Sequence, residues 1–172
     1  MDNVNKNSMN PKKPTPHTST PLAPTVVSVR MAVAKLHAVT VTQADLHYVG
    51  SITIDQDLID AAGMVPFQMV QITNQSTGAF WQTYVIAGER GSGIIGLNGA
   101  PARHFLPGDK AYVVAEGQVK PTRLRDHVLN VVFVDGRNRI VKVERQSASS
   151  PQASSPQASS PHAPNPPSGA QQ

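Results

Sequence analysis

No cysteine occurs in the 172 residues. That excludes a disulfide framework and a cysteine-bound metal. Histidine appears six times, but dispersed and without the spacing of a ligand set, so no metal site is expected. Aromatic residues make up only 5% of the chain, too few for the stacking platforms that hold single-stranded nucleic acid. Long apolar runs are missing too. None approaches the length of a membrane-spanning helix, and the N-terminus lacks the apolar stretch of a signal peptide, so a cytoplasmic protein is expected. The formal charge is +4 and the pI about 9.6. The basic residues are scattered rather than gathered in a tract, so neither nucleic acid nor membrane is the expected partner.

Proline is plentiful, at 15 residues, yet only Pro66, Pro101, Pro107 and Pro121 fall in the middle of the chain. Pro11, Pro14, Pro16, Pro21 and Pro24 punctuate an Asn-, Thr- and Ser-rich start, and a Pro-Gln-Ala-Ser-Ser repeat begins at Pro151 and again at Pro156. Such segments bury too little apolar surface to offset their ordering entropy. The expected organisation is a disordered extension over 1–26, one folded domain over 27–146, and a disordered repeat tail over 147–172.

The folded part reads as mainly β. Residues 25–33 and 38–42 alternate or carry β-branched side chains, which predicts two strands. Further strands are predicted at 52–54, 70–73, 82–87, 93–97, 111–115, 127–134 and 139–143. Residues 74–78 would turn a hairpin, and Asp135-Gly136 a tight two-residue turn. Helix is scarce: Asp55 suits an N-cap for residues 56–62, with Gly63 as the stop, and residues 100–105 form a further turn. Many short strands with little helix suggest a closed barrel.

The stretch that carries chemistry is 43–54, centred on Gly50-Ser51. The pair reads as a strand-edge turn, or as a self-processing site. A serine hydroxyl can attack the carbonyl before it and turn the amide into an ester. β-Elimination then releases the upstream chain, and hydrolysis leaves a pyruvoyl group. Glycine in front offers no Cβ to block the approach. A pyruvoyl ketone can form a Schiff base with a substrate amine and accept electrons as carbon dioxide leaves.

The surroundings decide between these readings. Lys35-Leu36-His37, then Val41 to Tyr48, Thr83-Tyr84 through Arg90-Gly91-Ser92, and Asn98-Gly99-Ala100 follow in a fixed order. From about Val27 to Glu144 the set resembles the pyruvoyl-dependent aspartate 1-decarboxylases. The resemblance implies a small double-psi β-barrel and a homotetramer with active sites between subunits. It also implies conversion of L-aspartate to β-alanine and carbon dioxide for pantothenate and coenzyme A synthesis. The cofactor would be a pyruvoyl group made from Ser51, with no PLP or metal. Cutting after Gly50 would leave chains 1–50 and 51–172 held in one sheet. Whether the cut is spontaneous or needs a maturation partner stays open.

The same resemblance assigns roles. Thr83 aids processing and contacts substrate, and Tyr84 gives a proton to the carbanion, as a phenol that holds its proton at neutral pH can. Asn98, Gly99 and Ala100 hold substrate. Pro101 follows where the family often has alanine, and it removes a backbone donor. Lys35 binds a substrate carboxylate, His37 lines the same site, and Tyr48, with His47, supports processing. Two departures stand out: Phe80 and Ala38 occupy positions where the family has arginines, and the one at 80 holds a carboxylate of aspartate. Losing such a contact removes about 1.5–3 kcal/mol. Arg90 and Arg103 are candidates to compensate. Two alternatives follow: a pyruvoyl decarboxylase for a less polar amino acid, and a non-catalytic barrel that binds a partner.

Overall fold

The computed structural model describes residues 27–149 apart from Val49. The expected disordered extension over 1–26, and residues 150–172 of the expected tail, lie outside the described residues; the tail expected from 147 starts later, because Ser147 pairs with Val128 and the Ala148 amide donates to the His127 carbonyl at 3.0 Å. Eight strands form one strongly curled sheet: β1 (Val29–Thr40), β2 (Ser51–Asp55), β3 (Met69–Asn74), β4 (Phe80–Gly88), β5 (Ile95–Asn98), β6 (Lys110–Val119), β7 (Val128–Val134) and β8 (Ile140–Ser147). Their order is β5-β2-β4-β3-β6-β1-β7-β8.

The curl closes. Past β1, the Thr42 amide donates to the Ile95 carbonyl at 2.8 Å and the Leu97 amide to the Gln43 carbonyl at 2.8 Å, so Gln43 bridges Gly96 on β5. Six strands, β5-β2-β4-β3-β6-β1, thus form a ring, and β7 and β8 extend from its β1 side. This is a small β-barrel of the expected class. Its interior is apolar: Leu36, Ile52, Ile54, Val70, Ile72, Val85, Ile95, Leu97 and Phe105 are fully buried. Removing so many large side chains from water is the main force holding the ring shut.

One helix packs on this core. In α1 (Gln56–Ala62) the Asp55 carboxylate caps the Asp57 amide at 2.8 Å, and Gly63 ends the helix at φ 74°. Leu58, Ile59 and Ala62 face the core. Short 3₁₀ turns occupy Ala100–Arg103 and Pro121–Arg123.

Two local expectations need correction. Over the described residues the strands predicted at 25–33 and 38–42 run together as one strand, β1, in which Lys35 and Leu36 pair with β6 on one side and Lys35, Leu36 and His37 pair with β7 on the other. The seam is a bulge: register shifts between Leu36 and Val39, and Ala38 sits at φ 55°. The Asp135-Gly136 turn is longer than two residues. The Asp135 carboxylate accepts from the amides of Arg137 and Arg139 at 2.8 Å each. Asn138, at φ 59°, is buried and bonds the Thr40 and Gly93 carbonyls at 2.8 and 2.7 Å. Those bonds draw the loop inward and fix the end of β1 to the loop before β5.

Candidate functional site

Ser51 opens β2, between β4 and β5, and is only 2% exposed. Its hydroxyl donates to the Tyr84 carbonyl and lies 3.4 Å from the Thr83 hydroxyl. Either hydroxyl can be the donor in the Ser51–Thr83 pair. The buried serine is thus flanked by one carbonyl and one hydroxyl of β4.

The Thr83-Tyr84 pair splits as strand alternation requires. On β4, Trp81, Thr83 and Val85 turn inward, while Phe80, Gln82 and Tyr84 face outward. Thr83 therefore meets Ser51 by its side chain, and Tyr84 meets it by its backbone carbonyl. The Tyr84 phenol is 36% exposed, with its ring 6.1 Å from that of Phe67. Phe80 is 56% exposed on the same outer face.

The turn after β5 presses on the bond before Ser51. Asn98 pairs with Ser51 across β2 and β5 and is buried. Its side-chain oxygen accepts from the Asp45 amide at 3.1 Å, and the Gly99 amide donates to the Asp45 carbonyl at 2.7 Å. Gly99 has φ 76°, and a Cβ there would stand 2.7 Å from the Gly50 Cα. The Asp45 carboxylate also accepts from the His47 amide at 2.9 Å, which shapes the segment leading to Tyr48. Tyr48 and His47 are exposed, as is Ala100. Pro101 is buried at the start of the 3₁₀ turn, and its carbonyl accepts from His104 at 2.9 Å.

Lys35 and His37 lie elsewhere. Both project from β1 toward Tyr112, and His37 also meets Phe133: the Lys35 ammonium is 5.1 Å from the Tyr112 ring centre, and the His37 ring is 5.1 Å from Tyr112 and 4.8 Å from Phe133. Burial and the Lys35 charge push the His37 imidazole below its ordinary value, and Glu144 pulls the other way. No hydrogen bond or ion pair among the described residues joins this group to Ser51. One chain thus gathers Gly50, Ser51, Thr83, the Tyr84 backbone, Asn98 and Gly99 in one place, and Lys35 with His37 in another.

Arg90 is already engaged. Its guanidinium bridges Asp57 and Asp60, the latter at 2.8 Å, on the outer side of α1. Arg103 is exposed at the end of the 3₁₀ turn that follows Asn98-Gly99 and has no ion pair among the described residues. A cleft of about 300 Å³ beside the start of α1 is lined by Asp55, Asp57, Leu58, Asn138, Arg139 and Ile140, none of them a predicted site residue.

Sequence reasoning marks Asp55 only as a helix cap and does not mark Tyr112. Asp55 is buried, and beyond its cap it accepts from the Gly91 and Gly93 amides at 2.9 and 2.6 Å, tying the loop between β4 and β5 to the end of β2. The Asp55-to-Asp57 cap was legible; the bonds to Gly91 and Gly93 depend on sheet pairing. Tyr112 is one residue in an alternating strand, and only the β1–β6 register shows what it meets.

The family model for aspartate decarboxylase matches residues 27–141. The aspartate 1-decarboxylase of Ruminiclostridium cellulolyticum is 48% identical over 116 residues, which cover 67% of this chain and 91% of that protein.

Proposed function

Because the chain belongs to the aspartate decarboxylase family, we propose that it is a lyase that converts L-aspartate to β-alanine and carbon dioxide, after cutting its own backbone between Gly50 and Ser51. The observation that carries this reading is the Ser51 hydroxyl, buried beside Thr83 and placed directly after a glycine. Ser51 Oγ attacks the Gly50 carbonyl carbon, and the Ser51 nitrogen gains a proton as the amide becomes an ester. Loss of the Ser51 α-proton expels the Gly50 carboxylate and leaves dehydroalanine. Water then displaces its nitrogen as ammonia, and residue 51 becomes a pyruvoyl group.

The residues present fit that group: position 51 is enclosed, and the Thr83 hydroxyl is within 3.4 Å of the reacting oxygen. A pyruvoyl ketone there supplies the carbonyl that takes the substrate amine and accepts electrons as carbon dioxide departs. Thr83, Asn98, Gly99 and Ala100 hold the substrate around that position, with Pro101 shaping the turn, and Tyr84 gives a proton to the substrate carbon. Tyr48 supports the cut. Lys35 binds a carboxylate, with His37 beside it. Since Lys35 and Ser51 occupy different parts of one barrel, their cooperation calls for a second copy, which a homotetramer with sites between subunits provides. The β-alanine would supply pantothenate and coenzyme A synthesis in the cytoplasm. No helix of the described residues is long and apolar enough to cross a membrane.

A second reading, decarboxylation of a less polar amino acid, draws support from Phe80 on the outer face of β4 and from Arg90, which Asp57 and Asp60 already occupy.

The test is an intact-mass spectrum of the purified protein and of Ser51→Ala. The expected result is two fragments from the wild type, split at 50/51, with the larger lighter by one ammonia than a serine-ended chain, and a single chain from the variant. Carbon dioxide release is then compared between aspartate and less polar amino acids. A wild-type chain that stays whole through prolonged heating and incubation with a source-cell extract overturns the reading. Cutting only with the extract identifies a maturation partner.

A further inference from the structure

We propose that Tyr112 is a positioning residue: its ring face holds the Lys35 ammonium, and one side of the His37 imidazole, in place for a substrate carboxylate. The inference rests on the reading above, in which Lys35 binds that carboxylate.

The geometry comes from three strands. On β6, Ala111, Val113 and Ala115 are buried, so Tyr112 stands on the opposite, outer face. Antiparallel pairing sets Lys35 opposite Val114 and Leu36 opposite Val113, which leaves Lys35 diagonal to Tyr112 and His37 beside it, where the register shift begins. The Lys35 ammonium lies 5.1 Å from the ring centre, inside the range where a cation is drawn to an aromatic face. His37 meets the same ring at 5.1 Å and 59°, and is backed on its other side by Phe133 on β7. Beyond Phe133, the Lys142 ammonium sits 4.5 Å over that ring and pairs with Glu144 at 2.6 Å. Two lysines thus bracket three rings along one face.

The two lysines differ in a way that bears on function. Lys142 is neutralised by Glu144. Lys35 has no ion pair among the described residues. A lysine that must receive a substrate carboxylate needs its charge unspent, yet its long stem needs ordering. A carboxylate neighbour orders it and cancels the charge. A ring face orders it and leaves its donors free. His37, pushed toward its neutral form by burial and by Lys35 itself, adds no competing positive charge.

The experiment uses the full chain as wild type, Tyr112→Phe, Tyr112→Leu and Lys35→Gln, with Tyr112→Leu also placed in the Lys35→Gln background. The probe is succinate, titrated by calorimetry, beside steady-state kinetics on aspartate. Tyr112→Leu should weaken succinate binding and raise KM about two- to fivefold, with kcat and the extent of cleavage unchanged. Tyr112→Phe should stay near wild type. In the Lys35→Gln background, Tyr112→Leu should add nothing. The inference is overturned if Tyr112→Leu binds succinate as the wild type does, if Tyr112→Phe loses as much as Tyr112→Leu, or if the loss persists without Lys35. The ε-CH₂ protons of Lys35, shifted upfield by the ring in NMR spectra of wild type and Tyr112→Phe and not in Tyr112→Leu, report the contact without turnover. A chain that never cuts but shows the shift overturns the decarboxylase reading while supporting the contact. A cut, active chain without the shift overturns only the inference.

Discussion

Gly99 sets how closely the turn after β5 approaches the bond to be cut. Its left-handed φ of 76° already disfavours a side chain, and a Cβ would meet the Gly50 Cα at 2.7 Å and the Gly50 nitrogen at 3.3 Å. Both contacts are backbone atoms of the scissile segment, so relief requires moving Gly50 away from its place beside Ser51. Gly99→Ala should therefore slow self-cleavage on the order of tenfold, from a conformational cost of about 1–2 kcal/mol. Gly78 is a control: its φ is 70°, but a Cβ there meets nothing within 4 Å. Gly78→Ala should lose stability and still cut at the wild-type rate, both followed by intact mass over time. At this scale the sequence was informative where a motif is contiguous. Gly50-Ser51 and Asn98-Gly99 were legible as pairs, whereas their mutual approach depends on β2–β5 pairing across more than forty residues of chain. Phe80 was legible as a departure, but its outward direction beside Tyr84 needed the strand's alternation to be anchored by Val85 in the core.

The elements around Ser51 are tied together by one carboxylate. Asp55 ends β2, caps α1 and accepts from Gly91 and Gly93 in the loop that leads to β5. Burial pushes its carboxyl up, but the amides of Gly93, Asp57 and Gly91, with Arg139 nearby, outweigh that and leave it below its ordinary value. The sign follows. A carboxyl held down in the folded state contributes stability that is full above the unfolded value, near 4, and is lost as pH falls through the folded value. Asp55→Asn keeps one acceptor but turns an NH₂ toward a backbone N–H, so it should cost about 2 kcal/mol at pH 7. That gap from the parent should narrow steadily below about pH 4. Urea unfolding in the Ser51→Ala background, where a single chain unfolds, measures it at both pH values. Other depressed carboxyls, such as Asp60 and Asp135, are common to both proteins and cancel in the difference. α1 was readable to the residue because caps act within one turn of chain. β1 reads as two strands with a gap at 34–37 because the register shifts at both edges of that gap, between Ala32 and Ala34 and between Leu36 and Val39, and a bulge looks like an end until its neighbours are known. The Asp135 loop is longer than its Asp-Gly pair suggests because Asn138 is recruited by Thr40 and Gly93, partners that sequence spacing does not reveal.

At the scale of the molecule, the proposed cut divides the barrel unevenly. Among the described residues, the chain before Ser51 contributes one strand, β1, yet that strand lies between β6 and β7 and closes the ring on β5 through Gln43. Ala34, Leu36 and Val39 from it, and Val41 just after it, are buried in the common core. Breaking a peptide at an exposed glycine leaves those pairings in place, so the two pieces remain one body. The same layout separates the reacting groups. Lys35, with Tyr112 and His37, faces outward on the β1–β6–β7 side, while Ser51 sits between β4 and β5. If each site joins Ser51 of one copy to Lys35 of another, two dead variants should repair each other. Lys35→Gln still cuts but lacks the cation, and Ser51→Ala keeps the cation but cannot cut. Each alone should show little turnover of aspartate. Coexpressed and randomly mixed in a tetramer, they should recover up to about a quarter of wild-type activity, the share of sites that pair an intact Ser51 with an intact Lys35 across an interface. Turnover of the purified mixed species measures this, with light scattering to establish that the species is a tetramer. A mixture no more active than its parts would place Lys35 and Ser51 in the same site of the same chain, or Lys35 outside the reaction, and the layout of a single barrel argues against the first.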